Sequence, residues 1–342
     1  METLWFCLVA LMLAAYVVFD GFDIGAGIIH LGIAKTANER HQVLRSIGPV
    51  WDGNEVWLVA AGGTLYFAFP SLYASAFSGF YLPLMIVLWL LILRGISIEF
   101  RNHIENRVWG PFWDVAFAGA SALLAVFFGA ALGNVVRGVP LGMDGFFFLP
   151  LWTNFRAGSE IGILDWYTIL VGVAAFATLT QHGALWVALK TESDLQERAK
   201  KIARTMWWVV AALTVAITAA SFSIQPHFYD RFSSFPLGLI FPMIALAGLL
   251  GMRFYTSKQA ELLAFLSSAT YICGMLTSAA YGMFPYVLPA RGTASDGLTV
   301  YNAAAGQYGL QIGLIWWIPG MLLVIGYFIF TYRQLAGKVR VD

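Results

Sequence analysis

Asp20, Asp23, Gly27 and His30 recur at spacings of three and four in a run that is otherwise strongly apolar. At 3.6 residues per helical turn these four positions fall within one arc of a helix. A second acidic pair, Asp52 and Glu55, shares a helical face with Val59 and Gly63, while Trp57 points well away from it. A third apolar run contributes Arg94 and, near its end, Glu99. Carboxylates crowded in a medium of low dielectric exchange protons near neutral pH. Two readings follow. In one, Arg94 neutralises a carboxylate and locks three helices together as a buried ion pair. In the other, the group is a proton-conducting or proton-storing cluster, because several acids around one arginine exceed what neutralisation requires.

His182 sits in Gln181-His182-Gly183, where the neighbouring glycine leaves room for a bulky ligand. It reads either as an axial ligand to a b-type haem, with a second His or Met, or as a hydrogen-bonded contact between helices. His41, His103 and His227 fall in loops or at helix ends, and Cys7 and Cys273 match no metal-ligand spacing. No P-loop, dinucleotide fingerprint, zinc spacing or hydrolase triad is present. The chain by itself lacks the parts of a soluble enzyme.

The elements that position these groups must be transmembrane helices. Of 342 residues 59% are hydrophobic and only 11% charged, with a mean hydropathy of +0.73, which makes the bilayer the solvent. A span of roughly 30 Å of hydrocarbon needs about 20 apolar residues in a helix. The sequence supplies about nine such runs, at 4–31, 48–69, 72–100, 112–136, 163–189, 205–222, 236–252, 261–288 and 308–332. The fold class is therefore all-α integral membrane, a single transmembrane domain, and the short alternating segments of a membrane barrel are absent. The first run has neither a basic region before it nor a cleavage site after it, so it reads as a retained helix. A net charge of +1 excludes nucleic acid as a partner.

Charge also sets the orientation, because short basic loops stay on the cytoplasmic side. With the amino terminus outside, the inner loops and carboxyl tail hold 15 Lys and Arg residues against 4 on the outer side, with Arg94 inside a span. Counting back from the inner helix ends puts Asp23, His30, Asp52, Glu55 and Arg94 in the inner half, where they can meet. Gly25, Gly27, Gly62 and Gly63 would let the helices that carry them approach closely. The inner loop 191–204 reads as a solvated connection, and the outer stretches 137–162 and 289–307, rich in glycine and aromatics, should fold onto the helix ends.

Several segments resemble one known family. Asp20-Gly21-Phe22-Asp23-Ile24-Gly25-Ala26-Gly27 and Gly48-Pro49-Val50-Trp51-Asp52-Gly53-Asn54-Glu55-Val56-Trp57-Leu58 are similar to segments of subunit II of cytochrome bd-type quinol oxidases. Residues 76–81, 94–101, the Trp113-Asp114 pair, 129–138 and Phe284-Pro285-Tyr286 resemble it too, densely over the first four spans and thinly beyond. The resemblance implies two four-helix bundles plus one additional helix, and no haem held in this chain. It implies a haem-bearing subunit I as partner, carrying two b-type haems and one d-type haem, in a bacterial cytoplasmic (inner) membrane complex that oxidises quinol and reduces dioxygen to water. By the same resemblance Asp23, Asp52 and Arg94 match positions on a polar route from the cytoplasm, to which Asp20, Glu55 and Glu99 add further acids, and Trp57 matches a position near an oxygen route. A structural quinone and small single-helix subunits occur as options of the family that no motif here decides. The alternative from a different class is a proton-coupled secondary transporter that uses Asp20, Asp23, Asp52 and Arg94 as its coupling site.

Overall fold

The computed structural model describes residues 1–104, 106–158, 160–291 and 297–339. Its helices run in the order α1 (Glu2–Ile33), α2 (Ala37–Ile47), α3 (Trp51–Ala68), α4 (Pro70–Gly79), α5 (Tyr81–Phe100) and α6 (Trp109–Arg137). They continue with α7 (Trp166–Lys190), α8 (Ser193–Ile224), α9 (His227–Ser234), α10 (Ile240–Ser257), α11 (Glu261–Met283) and α12 (Gln307–Gln334). Two short antiparallel strands, β1 (Tyr286–Leu288) and β2 (Leu298–Thr299), pair in the loop before α12.

Among the described residues eight helices are long and apolar enough to cross a membrane: α1, α5, α6, α7, α8, α11, α12, and α10 with the 3-10 turn Pro236–Leu239 before it. The remaining expected span is α3, whose 18 residues include Asp52, Asn54 and Glu55 in the first two turns and so leave a shorter apolar run. Helices α1, α3, α5 and α6 pack as one bundle, α7, α8, α10 and α11 as a second, and α1 meets α7 where the two join. The additional helix, α12, lies against α1 and α3 through Phe328, which contacts both Phe19 and Trp57.

The joint between the bundles depends on glycine. A Cβ at Gly25 would stand 1.9 Å from the Leu179 carbonyl oxygen and 2.7 Å from the Gly183 nitrogen, so α1 and α7 touch backbone to backbone. Gly27 likewise lets Ser121 of α6 approach, whereas Gly62 and Gly63 face open space and bring no helix near. Beside this crossing Phe22 stacks on Trp186 at 4.0 Å, and aromatic pairs of this kind add about 0.5–1.5 kcal/mol beyond area burial.

Four element boundaries differ from those read in the sequence. The run 72–100 is divided at Phe80, and Pro83, which has no amide hydrogen to donate, sits in the first turn of a new helix, α5. The stretch 191–204 is helical from Ser193: one face of α8 buries Leu195, Ala199, Lys200 and Ala203, while Asp194, Glu197, Lys201 and Arg204 stay exposed. The connection after α1, expected on the inner side, is itself helical, since Thr36 and Glu39 form a reciprocal cap that starts α2. The eighth run stops at Met283, and residues 286–288 form β1 instead of more helix.

The described residues of the two stretches expected on the outer side fold onto the helix ends. Val139, Leu141, Phe147, Leu149, Ile161 and Ile163 form one apolar core with Trp5, Phe69, Leu288, Val300 and Leu310. Arg137, buried at the end of α6, pairs with Asp165 at 2.6 Å and also donates to Asn134 and the Gly162 carbonyl, which ties this cap to the start of α7. Ser159 of the first stretch, residues 292–296 of the second, and Arg340 among the counted basic residues lie outside the described residues.

Candidate functional site

Helices α1, α3 and α5 cross so that their charged side chains meet inside the bundle. Arg94 is fully buried, with Nη1 2.6 Å from Asp20 Oδ1 and Nη2 donating to Glu55 Oε2 at 3.0 Å. Asp20 is equally buried, while the Glu55 side chain keeps 22% of its surface exposed. One turn on from Asp20, Asp23 is also buried; its Oδ2 accepts from Asn54 Nδ2 at 2.7 Å and its Oδ1 has no hydrogen-bond partner among the described residues. Asn54 Oδ1 in turn accepts from the Tyr332 hydroxyl at 2.8 Å. Two acids therefore share one guanidinium, and a third is held by a neutral amide.

The remaining expected residues fall elsewhere. Asp52 and Glu99 are exposed, and neither touches the cluster. Asp52 shares its open face of α3 with Val56 and Val59, 55% and 73% exposed, and Glu55 stands one turn further along. Trp57 points the other way, buried among Met12, Tyr16, Ala61, Phe19 and Phe328.

His182 takes the form of the helix contact. Its Nε2 donates to the Val18 carbonyl at 2.9 Å, so Nδ1 is the nitrogen that accepts from the Ser268 hydroxyl at 2.6 Å, and Phe265 stacks on the ring. With both nitrogens engaged, the residue does not fit axial ligation of a haem. Among the described residues no group of three or more His, Cys, Asp and Glu could hold a metal ion.

One polar centre is absent from the expected set. Asp114 of α6 accepts from His30 Nε2 at 2.7 Å, Arg40 at 3.0 Å and Arg101 at 2.5 Å and 3.2 Å, which fastens α1, α2, the end of α5 and α6 at one point. His30 therefore belongs to this lock and not to the Arg94 cluster. Asn54 and Tyr332 were equally invisible as partners of Asp23. No local motif marks them, since each contact joins residues far apart in the chain.

The whole length of the chain speaks to kinship. The family described as cytochrome bd terminal oxidase subunit II matches residues 1–335. The chain belongs to that family. A probable cytochrome oxidase subunit 2 from Haemophilus influenzae is 30% identical over 98% of this chain and 94% of its own length. The cytochrome bd ubiquinol oxidase subunit 2 of Bacillus subtilis is 30% identical over 99% and 97%. In fold, a chain of the bd oxidase structure from Geobacillus thermodenitrificans superposes with a TM-score of 0.75 at 17% identity, covering 98% of each chain. Subunit II membership takes the place of the secondary-transporter alternative, and the acids of α1 and α3 are to be understood as parts of an oxidase subunit.

Proposed function

We propose that this chain serves a membrane quinol oxidase as the subunit that braces a haem-bearing subunit I and leads protons towards it from the cytoplasm. The observation that carries the reading is the pairing of buried Asp20 and half-buried Glu55 with the single cation Arg94, with buried Asp23 one turn from Asp20. One guanidinium balances one negative charge, so a stable cluster in hydrocarbon holds further protons on its carboxyls and can pass them on. Entry is at Asp52 and Glu99, which lie at the end of the bundle richest in Lys and Arg, and Glu55 joins the exposed face of α3 to the interior. Asp52, Val56 and Val59 together suit contact with another protein better than contact with lipid, because a carboxylate beside apolar groups gains a polar neighbour there.

Electron transfer and oxygen reduction would be supplied by the haems of the partner subunit. The residues of this chain exclude water around Arg94, orient Asp23 through Asn54, and hold the proton at carboxyl oxygens. The relatives named ubiquinol oxidase subunits support a quinol as the reductant, and their bacterial sources support the cytoplasmic membrane as the location. The apolar surroundings of Trp57 support its placement on an oxygen route, which needs a dry crevice and no exchangeable group. Asp23→Asn and Asp52→Asn, measured in the assembled oxidase at unchanged haem content, should both slow turnover. Parental turnover in both would remove the proton route. Trp57→Ala should shift the apparent oxygen affinity, and an unshifted value would remove the oxygen route alone.

A further inference from the structure

The last described residues of the chain cross the basic end of α7 as a strap. Lys190 Nζ donates to the Leu335 carbonyl at 2.5 Å, Val339 N donates to the Lys190 carbonyl at 2.7 Å, and Lys338 pairs with Glu261 at 2.7 Å. Beneath the strap lies a cavity of about 200 Å³, lined by Ser46, Val50, Trp186 and Tyr332 together with the cations Arg45 and Lys190. This is room for several waters. Its wall residue Tyr332 is the one whose hydroxyl donates to Asn54, and Asn54 donates to Asp23. Two side chains thus separate the cavity from a buried carboxyl whose other oxygen has no hydrogen-bond partner among the described residues.

We propose that this cavity is a water-filled cytoplasmic inlet to Asp23, roofed by the carboxyl-terminal strap, with Tyr332 and Asn54 as its positioning residues. It rests on the proton-route reading above and adds an entry that lies wholly within this chain, apart from the Asp52 face. The directions of the hydrogen bonds assign the roles. A carboxamide oxygen is too weak a base to carry a proton, so Asn54 does not relay; it occupies Asp23 Oδ2 and leaves Oδ1 as the atom that gains and loses hydrogen. A proton brought to the cavity by water or a buffer acid reaches Oδ1 on water that enters beside the Tyr332–Asn54 pair, not through it, and leaves towards the Asp20 and Glu55 carboxyls. Nothing is oxidised or reduced in the step. At neutral pH free hydronium is scarce and most protons travel on buffer acids, which a basic rim gathers when they are anionic.

A mere brace for α12 would give a different result. Tyr332→Phe keeps the ring stacked on Phe328 and removes only the hydroxyl. In the assembled oxidase, normalised to haem content, it should lower kcat several-fold with the quinol KM unchanged. Ala336→Cys puts a thiol on the exposed rim of the cavity. A bulky water-soluble methanethiosulfonate should then slow turnover several-fold, the methyl reagent should not, and the parent with Cys7 and Cys273 should respond to neither. Parental kcat in Tyr332→Phe, or no slowing by the bulky adduct, overturns the inlet. If Asp23→Asn is slow while these two are not, the inlet alone falls; if Asp23→Asn is also parental, the proton route falls with it.

Discussion

Arg94 holds two carboxylates in a place where water cannot. Removing one member of a buried ion pair strands the other charge, at a cost of about 3–5 kcal/mol, whereas removing both members together is far milder. Arg94→Gln should therefore lower the unfolding temperature of the detergent-purified subunit sharply, and adding Asp20→Asn to it should recover much of the loss. Equal destabilisation by the single and double variants would show that Asp20 and Arg94 are not coupled. Outside the membrane, Glu39 shows the opposite side of the same electrostatics. Slight burial raises its affinity for a proton, but the Lys35 and Thr36 amides and the Arg198 guanidinium outweigh this and hold its carboxyl below the ordinary 4.5. Because the folded value is the lower one, Glu39 contributes stability that is complete above pH 4.5 and is lost as pH falls through the folded value. Glu39→Gln should remove that part of the acid-induced fall in unfolding temperature, and an unchanged acid limb would count against it. At this scale the types of the charged residues were legible, since an ion in an apolar run announces itself. Their partners were not: Asp23 to Asn54 and Tyr332, or Asp114 to His30 and Arg40, depend on how helices rotate against each other.

Helix crossings decide those rotations, and the tightest one is set by two residues without side chains. A methyl group at Gly25 would meet the backbone of Leu179 and Gly183, which cannot swing aside as a side chain can, so α1 and α7 must separate. Gly25→Ala should cost about 1–3 kcal/mol by overpacking, read as lower unfolding temperature and poorer yield of assembled complex. Gly62→Ala, with nothing within 4 Å, should be neutral or gain up to about 1 kcal/mol from helix propensity. Similar behaviour of both would refute the backbone contact. The sequence suggested close approach at both sites because glycine is the same letter in each. Long apolar runs were readable as helices for a related reason, since hydrocarbon leaves the backbone few other choices. The break at Phe80, the capped α2 and the early start of α8 were less readable, because they lie where water or the outer cap competes with the membrane.

At the scale of the molecule, one end is basic and the other is closed by a folded apolar cap. The ends of α1, α5, α7, α10 and α12 carry Lys35, Arg101, Lys190, Lys258 and Arg333, and the contact of Val339 with Lys190 brings the last of these ends against α7. The cap end carries Arg137, whose charge is spent on buried Asp165 and so adds little free positive charge to its loop. The bias that retains short basic loops in the cytoplasm would therefore act almost wholly on the strap end, which predicts that the cap faces outward. Met143, 91% exposed in the cap, and Ser257, exposed at the end of α10, report on the two faces. Met143→Cys should react with a membrane-impermeant maleimide in intact cells and Ser257→Cys only in inverted vesicles, each judged against the parent with its two natural cysteines. The reverse pattern would place the strap cavity outside, and neither Asp52 nor Tyr332 would then stand on the side from which cytoplasmic protons come.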